Sequence, residues 1–318
     1  MRKKFFKKIR YTFGDFLAIA FLTSSILTFR GLPSKALVFM AKMIGTIAFY
    51  LLKRYRERVI ENLTIAFGKE KDLNEIEILA KEAFFHFTLT PLETISLIAV
   101  PFGRFILNIN MKGKEYLDAA LAQGNGVVAL GAHLGSFTLL GTRLAAEGYP
   151  FNVIINEGNF PRFMKRLMAY QRRVGQKFFP PKPATTAVKK SLNCLHRNEI
   201  LYLIADEQQR RGGVPTPFFD QIAFTPSGPA ILSLKTGAPI LPMFVLREDG
   251  VPRTLLIGQP IAIERSSNMP KDIETLTIKF TKVIEDMVRQ YPNQWAWLNR
   301  RWKLPYKQAS LDRKGNGV

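Results

Sequence analysis

The sequence is poor in cysteine and histidine, and these shortages limit the chemistry that the chain can perform. Its one cysteine, Cys194, excludes an intramolecular disulfide framework and a cysteine-rich zinc site, and it fits a reducing compartment. The three histidines, His86, His133 and His196, leave few candidates for acid–base catalysis. Because no cluster of residues has the spacing of metal ligands, we expect neither a metal nor another cofactor.

Acidic residues are scarce relative to basic ones. The 318-residue chain has 25 Asp and Glu against 46 Lys and Arg, a formal net charge of +21. This excess suits a polyanionic partner such as nucleic acid, anionic lipid or a phosphorylated substrate. The sequence has no G-x-x-x-x-G-K-[ST] loop, zinc-finger spacing or RNP-like pattern, so we expect no nucleotide hydrolysis and no nucleic-acid partner.

Two apolar stretches with basic flanks dominate residues 1–55, which we predict to be a helical membrane anchor. The first, Phe16–Phe29, follows a start rich in Lys and Arg, and its fourteen residues would span only about 21 Å as a helix. The second, Ala36–Leu52, ends at the basic run Lys53–Arg58. This arrangement suits attachment to an anionic membrane surface. A secretory signal peptide and a buried globular helix are the alternatives, and the former lacks an A-x-A-like cleavage site.

From residue 56 to 305 the pattern predicts one α/β domain with a mostly parallel central sheet flanked by helices. Helical spacing between Glu57 and Leu97 predicts two or more helices. Five apolar or β-branched runs follow, separated by helical stretches, and they predict strands. A last helix is predicted over Ile273–Arg289, and we expect residues 306–318 to be a disordered tail.

His133 is the strongest candidate for a catalytic residue. It follows the hydrophobic run GVVAL and precedes an apolar helical pattern, so it is expected at the carboxyl end of a strand, beside a helix N-terminus. Open α/β sheets bind ligands in that crevice, and N–H groups at a helix start can hold phosphate or a developing oxyanion. The alternative is a histidine that only caps its helix.

Several motifs resemble those of the bacterial lipid A biosynthesis acyltransferases, relatives of the glycerolipid acyltransferases. They are GAHLGSF, the block from LYLIADEQQRR through TPSGPA to TGAPILPMF, and QWAWLNRRWK near the end of the chain. The resemblance extends from about Arg56 to Lys303. It implies an enzyme on the cytoplasmic face of the inner membrane that moves a fatty acyl group from acyl carrier protein or coenzyme A onto a glycolipid.

The sequence departs from this family at one position. Family members carry Asp or Glu five residues after the histidine, whereas this chain has Thr138. A threonine hydroxyl cannot offset the charge of a protonated imidazole, and neutralising the aspartate of a catalytic triad slows catalysis by orders of magnitude. Either Asp206 or Glu207, at the end of the strand LYLIADE, replaces the acid, or the protein is a catalytically silent lipid-binding relative. Both acids could instead pair with Arg210 and Arg211 or contact the acceptor.

A further set of polar residues is expected to bind the substrate. Guanidinium groups suit phosphate oxygens of a glycolipid or of a phosphopantetheine arm, although a solvated helix face would explain some of them equally well. Thr225 or Ser227 could instead cap the helix that follows TPSGPA. The predicted substrate-binding residues are Ser136, Thr138, Arg166, Arg172, Arg173, Arg210, Arg211, Thr225, Ser227, Arg300 and Arg301.

These observations together predict a membrane-bound O-acyltransferase. The donor would be acyl carrier protein or acyl-CoA, and the acceptor a hydroxyl of a lipid A precursor or a related envelope glycolipid. His133 would act as the general base, with Asp206 or Glu207 as its carboxylate partner. Helix-terminal or loop N–H groups would stabilise the tetrahedral oxyanion.

Overall fold

A computed structural model describes Ser24, Thr28 and residues 32–99, 104–155, 161–209 and 212–302. Most of the first predicted apolar stretch, the basic start and the predicted tail lie outside these ranges. The helices are α1 Ser34–Leu51, α2 Lys53–Phe67, α3 Leu73–Ala99, α4 Arg104–Leu107, α5 Lys114–Ala122, α6 Leu140–Ala146, α7 Pro161–Arg173, α8 Ala184–His196, α9 Gly228–Thr236 and α10 Met269–Gln290. The strands are β1 Asn110–Lys112, β2 Val127–Gly131, β3 Phe151–Ile154, β4 Gln176–Phe179, β5 Ile200–Ile204, β6 Val214–Phe218, β7 Gln221–Thr225, β8 Ile240–Glu248 and β9 Val251–Ile257.

Seven strands form the central sheet in the order β1-β9-β8-β2-β5-β3-β4. All neighbouring pairs in this sheet run parallel except β8 and β9. Every residue of β2 is buried, as expected for a central strand of a sheet that helices cover on both faces. The predicted α/β class with a mostly parallel sheet is confirmed.

The five runs predicted as strands form β2, β3, β5, β8 and β9. The prediction missed β1 and β4, which have only three and four residues, and the separate antiparallel hairpin of β6 and β7. Two prolines in the β6 sequence VPTPF hid this hairpin, because proline normally argues against a strand. Phe219 and Asp220 connect its strands with positive φ angles of 52° and 58°.

The helical predictions were close to the observed bounds. The region from Glu57 to Leu97 forms α2 and α3, and the last helix extends slightly beyond Ile273–Arg289 to become α10. Residues of α10 four apart, including Leu276, Phe280 and Ile284, are buried, which is the stripe that a helix presents to a core.

The second predicted apolar stretch forms α1, which buries only one of its faces. Leu37, Ala41, Gly45 and Phe49 are buried at spacings of four. Large apolar side chains cover the rest of the helix and stay exposed, namely Phe39, Met43, Ile44, Ile47, Tyr50 and Leu51. The helix is long and apolar enough to cross a membrane, and 22% of its span is buried inside the structure. The predicted N-terminal apolar helix is therefore present, and it is not a buried core helix.

Candidate functional site

The sheet brings His133 and Asp206 together. Gly131 at the end of β2 is the register partner of Ile204 at the end of β5, and His133 and Asp206 each lie two residues beyond. The imidazole Nδ1 of His133 is 2.9 Å from Asp206 Oδ1. The backbone N–H of His133 donates to the other carboxylate oxygen, Oδ2, at 2.8 Å. The carboxylate therefore fixes both the backbone and the ring of His133.

A C-terminal segment completes the enclosure of Asp206. Trp295 donates its indole N–H to Asp206 Oδ2 at 2.7 Å, and it also forms an isolated β-bridge with Leu134. On either side of this bridge, Gly135 N–H donates to Gln294 O and Ala296 N–H donates to His133 O. The segment thus fixes the loop that carries His133, and Asp206 receives three donors within a buried setting.

The electrostatics of the pair favour the charged form of each group. Burial opposes ionisation of Asp206, but the nearby imidazole and the donors from His133 and Trp295 outweigh it and hold the pKa of the carboxyl below its usual value. Burial likewise opposes protonation of His133. The charge and hydrogen bond of Asp206, together with the charge of Glu207, outweigh this effect and raise the pKa of the imidazole. Such a pair is suited to accept a proton and to stabilise the resulting imidazolium.

The structure separates the two acids that the sequence left equivalent. The Asp206 side chain is 1% exposed and bonds to Nδ1, whereas the Glu207 side chain is 58% exposed and lies 3.9 Å from Nε2 of His133. Glu207 accepts instead from the amide of Asn299 at 3.1 Å. Asp206 is therefore the hydrogen-bonded partner of His133, and Glu207 lies at the rim.

His133 lines an apolar cavity of about 400 Å³, a size typical of small-molecule sites. One wall is a face of α3 that includes Phe87, Thr90 and Thr94, and the opposite wall includes Trp295. A second apolar cavity of about 270 Å³ lies beyond Phe137, between α3, α6, α7 and the ends of β3 and β5. Together they provide space for a hydrocarbon chain next to the imidazole.

A buried ion pair is bonded to Thr90 in the wall of the first cavity. Arg247 donates to both carboxylate oxygens of Glu93, at 2.9 and 2.6 Å, and also to Thr90 Oγ1 at 2.8 Å. His86, which lines the same cavity, lies 3.5 Å from Arg247 Nη1. Burial and the charge of Arg247 lower the pKa of His86 to about 3, so this imidazole is neutral. His86 is therefore a buried packing side chain in this environment.

Two predicted substrate contacts have other partners. Ser136 is fully buried and donates to Glu93 Oε1 at 3.0 Å, so its hydroxyl belongs to the ion pair and does not face the substrate. The hydroxyl of Thr138 lies 2.9 Å from that of Thr94 rather than bonding to His133. Thr138 still lines both cavities.

The loop after His133 differs from the expected helix start. A 3₁₀ turn at residues 137–139 separates the histidine from α6. The backbone N–H groups of His133, Gly135 and Ser136 already donate to Asp206, Gln294 and Val245. These three groups are therefore occupied by the protein itself and are not free to bind an oxyanion.

Two predicted substrate contacts, Thr225 and Arg301, are hydrogen-bonded to each other inside the fold. Thr225 is fully buried and accepts from Arg301 Nη2 at 2.7 Å, and its hydroxyl lies 2.6 Å from that of Thr216. The guanidinium of Arg301 is buried over the Phe218 ring, and burial lowers its pKa to about 10. Ser227 is 9% exposed at the start of α9, and its side chain makes no capping hydrogen bond.

The remaining predicted arginines lie away from the cavity of His133 or outside the described residues. Arg172 and Arg173 are exposed at the end of α7, and Arg172 stacks over Phe178. Arg300 is exposed in a polar cleft with Arg54 and other residues of α2, outside the cavity of His133. Arg210, Arg211 and the side chain of Arg166 lie outside the described part of the chain.

Sequence reasoning missed four residues that shape the site, namely Glu93, Thr94, Arg247 and the indole donor Trp295. Glu93 carried a signal, since it is an acid within the apolar pattern of α3 and an ionisable residue in such a position is buried only when it is paired. Trp295 was noted as part of QWAWLNRRWK, but its partner Asp206 is 89 residues away in the chain.

Comparisons with known proteins agree with the resemblance in the motifs. The family model described as bacterial lipid A biosynthesis acyltransferase matches residues 2–304. The chain is similar to the lipid A biosynthesis palmitoleoyltransferase of Escherichia coli K12, with 25% identity over 88% of this chain and 89% of that protein. It is also similar to the phosphatidylinositol mannoside acyltransferase of Mycolicibacterium smegmatis, with 25% identity over 66% of this chain and 67% of that protein. The lipid A biosynthesis lauroyltransferase of Escherichia coli K12 is 24% identical over 82% and 83% of the two chains.

Proposed function

Because the chain belongs to the bacterial lipid A biosynthesis acyltransferase family, we propose that it moves a fatty acyl group from acyl carrier protein or acyl-CoA to a hydroxyl of an envelope glycolipid. His133 is the general base of this reaction. The observation that carries the proposal is the imidazole at the wall of an apolar cavity, held at Nδ1 by the buried carboxylate of Asp206.

The hydrogen bond to Asp206 assigns the roles of the two imidazole nitrogens. The neutral ring keeps its proton on Nδ1, and this N–H donates a hydrogen bond to the carboxylate. The lone pair of Nε2 is then free to accept a proton. Nε2 removes the proton of the acceptor hydroxyl, and the oxygen attacks the thioester carbonyl. The tetrahedral intermediate then collapses, the C–S bond breaks, and the imidazolium returns its proton to the leaving thiol.

Asp206 replaces the acid that Thr138 does not provide. Its negative charge stabilises the imidazolium, and its position against the backbone N–H of His133 holds the ring in one orientation. The missing family acid was the reason to consider a silent lipid-binding relative. The carboxylate at Nδ1 therefore favours the enzyme over that alternative.

The names of the relatives support a glycolipid acceptor. Two of those relatives are named for lipid A biosynthesis and one for phosphatidylinositol mannoside. Both names designate glycolipids with fatty acyl chains, which fits the apolar lining of the two cavities. We therefore propose a lipid A precursor or a related envelope glycolipid as the acceptor.

We also propose that the protein works at the cytoplasmic face of the inner membrane. The exposed apolar side of α1 lies next to basic residues, among them Lys42, Lys53 and Arg54. Apolar contact with lipid tails combined with cations at the level of the headgroups is the arrangement that attaches proteins to anionic membranes. An anionic lipid surface is thus a proposed partner.

The test is acyl transfer by membranes that contain the wild-type protein or His133→Ala. Labelled acyl carrier protein and labelled acyl-CoA are supplied separately, with a lipid A precursor or phosphatidylinositol mannoside as acceptor. Transfer is expected for the wild type, for the exposed-histidine control His196→Ala, and not for His133→Ala. Absence of transfer from folded, membrane-bound wild-type protein would overturn the proposal and favour the silent lipid-binding relative.

A further inference from the structure

The two apolar cavities share one thin wall. Thr94, Phe137 and Thr138 line both the cavity of His133 and the second cavity, whereas His133 lines only the first. All three side chains are half-buried, with cavity space on two sides. These three side chains form a wall between an apolar space of about 400 Å³ and one of about 270 Å³.

A hydrogen bond between side chains closes the wall. The hydroxyls of Thr94 and Thr138 are 2.9 Å apart, and the hydroxyl of Thr94 also donates to the carbonyl of Thr90 within α3. This pair links α3 to the loop after His133. The Phe137 ring borders both cavities and meets the imidazole edge-on, with the ring centroids 5.0 Å apart.

Both cavities are suited to the same kind of occupant. The surface that lines the first cavity is mainly apolar, although polar side chains contribute to it. The second is enclosed by side chains such as Phe151, Val153 and Ile154 from β3 and Ile204 from β5. A hydrocarbon chain is the ligand that gains most from such surroundings.

We propose that the wall of Thr94, Phe137 and Thr138 sets the length of the acyl chain that the enzyme accepts. This inference rests on the proposed function, since it assigns the donor chain to the cavity of His133. With the wall closed, a chain whose thioester lies at His133 must end within the first cavity. With the wall opened, the chain continues into the second cavity.

The departure at position 138 fits this specificity role. The chain has a small hydroxyl residue where the family has an acid, and Asp206 bonds to His133 Nδ1. Thr138 is therefore not needed to hold the imidazole. Its hydroxyl is instead directed to α3, where it closes the wall.

The test compares donor chains from decanoyl to palmitoyl in the membrane transfer assay. The double variant Thr94→Ala/Thr138→Ala removes the hydrogen bond and part of the wall, and Phe137→Leu is a second opening variant. The matched control is Thr88→Ala, because Thr88 makes the same bond to the carbonyl four residues earlier in α3 but does not line either cavity.

The opened variants are expected to favour longer chains. The ratio of kcat/KM for palmitoyl over lauroyl donors should rise by about tenfold or more, since each added methylene in a fitting apolar site changes discrimination by about tenfold or more. Adding Ile154→Phe to the opened double variant should cancel the gain, because Ile154 lines the second cavity alone. The control should keep the wild-type profile.

The outcomes separate this inference from the proposed function. Transfer by the opened variants with an unchanged chain-length profile overturns the inference and leaves the proposed function intact. A gain that persists after the Ile154 substitution also overturns it, because the extra length would then lie elsewhere. Absence of transfer by the wild type with every donor overturns both.

Discussion

Two histidines line the same cavity, and their neighbours give them opposite properties. His133 faces the carboxylate of Asp206, which raises the pKa of the imidazole although burial acts in the opposite direction. His86 faces the guanidinium of Arg247, which adds to burial and lowers its pKa to about 3. The charged form is therefore favoured in the first ring, and the second remains a neutral packing group.

The two sites also use their buried carboxylates differently. Asp206 accepts from a group at the cavity wall, so its charge acts on a ring that substrate can reach. Glu93 is paired with Arg247, and these side chains are only 2% and 0% exposed. In the proposed mechanism, Asp206 can stabilise charge on the substrate side because its partner His133 opens to the cavity, whereas the sealed pair of Glu93 and Arg247 supports the fold.

The largest expected effect comes from Asp206→Asn, which removes the charge from the His133 site. The rate of transfer should fall by about 10³–10⁴-fold, as when the acid of a catalytic triad is neutralised. The base is active when deprotonated, so the wild-type rate should rise with pH through the raised pKa of His133. In the variant this rise should move to lower pH. A pH profile of kcat measures both effects, and a fall below tenfold would contradict the role of Asp206.

Arg247→Met should break the sealed pair instead. Removing one partner of a buried ion pair leaves an uncompensated charge and costs about 3–5 kcal/mol of stability. The measurement is the free energy of unfolding in detergent, from the midpoint of denaturation. The matched control Glu93→Leu/Arg247→Met removes both charges and should recover most of the loss. If the single and double variants unfold at the same denaturant concentration, the pair does not carry this stability.

Trp295→Phe removes one of the donors to Asp206 and should have a smaller effect than Asp206→Asn. A hydrogen bond to a charged group contributes about 1.5–3 kcal/mol, so kcat should fall by about tenfold to a hundredfold with less change in KM. Trp297→Phe is the control, since Trp297 is equally buried but donates to the carbonyl of Pro292. Equal loss of kcat in both variants would indicate a packing effect rather than positioning of Asp206.

The sequence was enough to predict the elements that carry the site. Apolar runs before His133 and Asp206 predicted two buried strands, and the rule that parallel strands end at one edge predicted that these residues are neighbours. The choice between Asp206 and Glu207 depended on which side chain turns inward after β5. That orientation follows from the donors His133 and Trp295, which are 73 and 89 residues away in the chain.

For the basic residues, the sequence alone did not predict which side chains are buried. The pattern predicted substrate contact for Arg301, but Phe218 and Thr225 enclose its guanidinium. A guanidinium has the same sequence signature whether it is buried in the fold or free to bind phosphate.

The partners of Thr138 and Ser136 lie in α3, and periodicity predicts that this helix has an apolar face but not which loop meets it.

The smallest expected effect is that of Glu207→Gln, which tests whether the comparison depends on the buried acid alone. Glu207 contributes to the raised pKa of His133, but its side chain is 58% exposed and 3.9 Å from Nε2. Exposed charge pairs contribute below about 1 kcal/mol, so the rate should fall by less than about fivefold, and less at high salt. Gln keeps an oxygen that can accept from Asn299, which leaves the rim in place. A loss as large as that of Asp206→Asn would make Glu207 an equal partner of His133, and burial would then not distinguish the roles of the two acids.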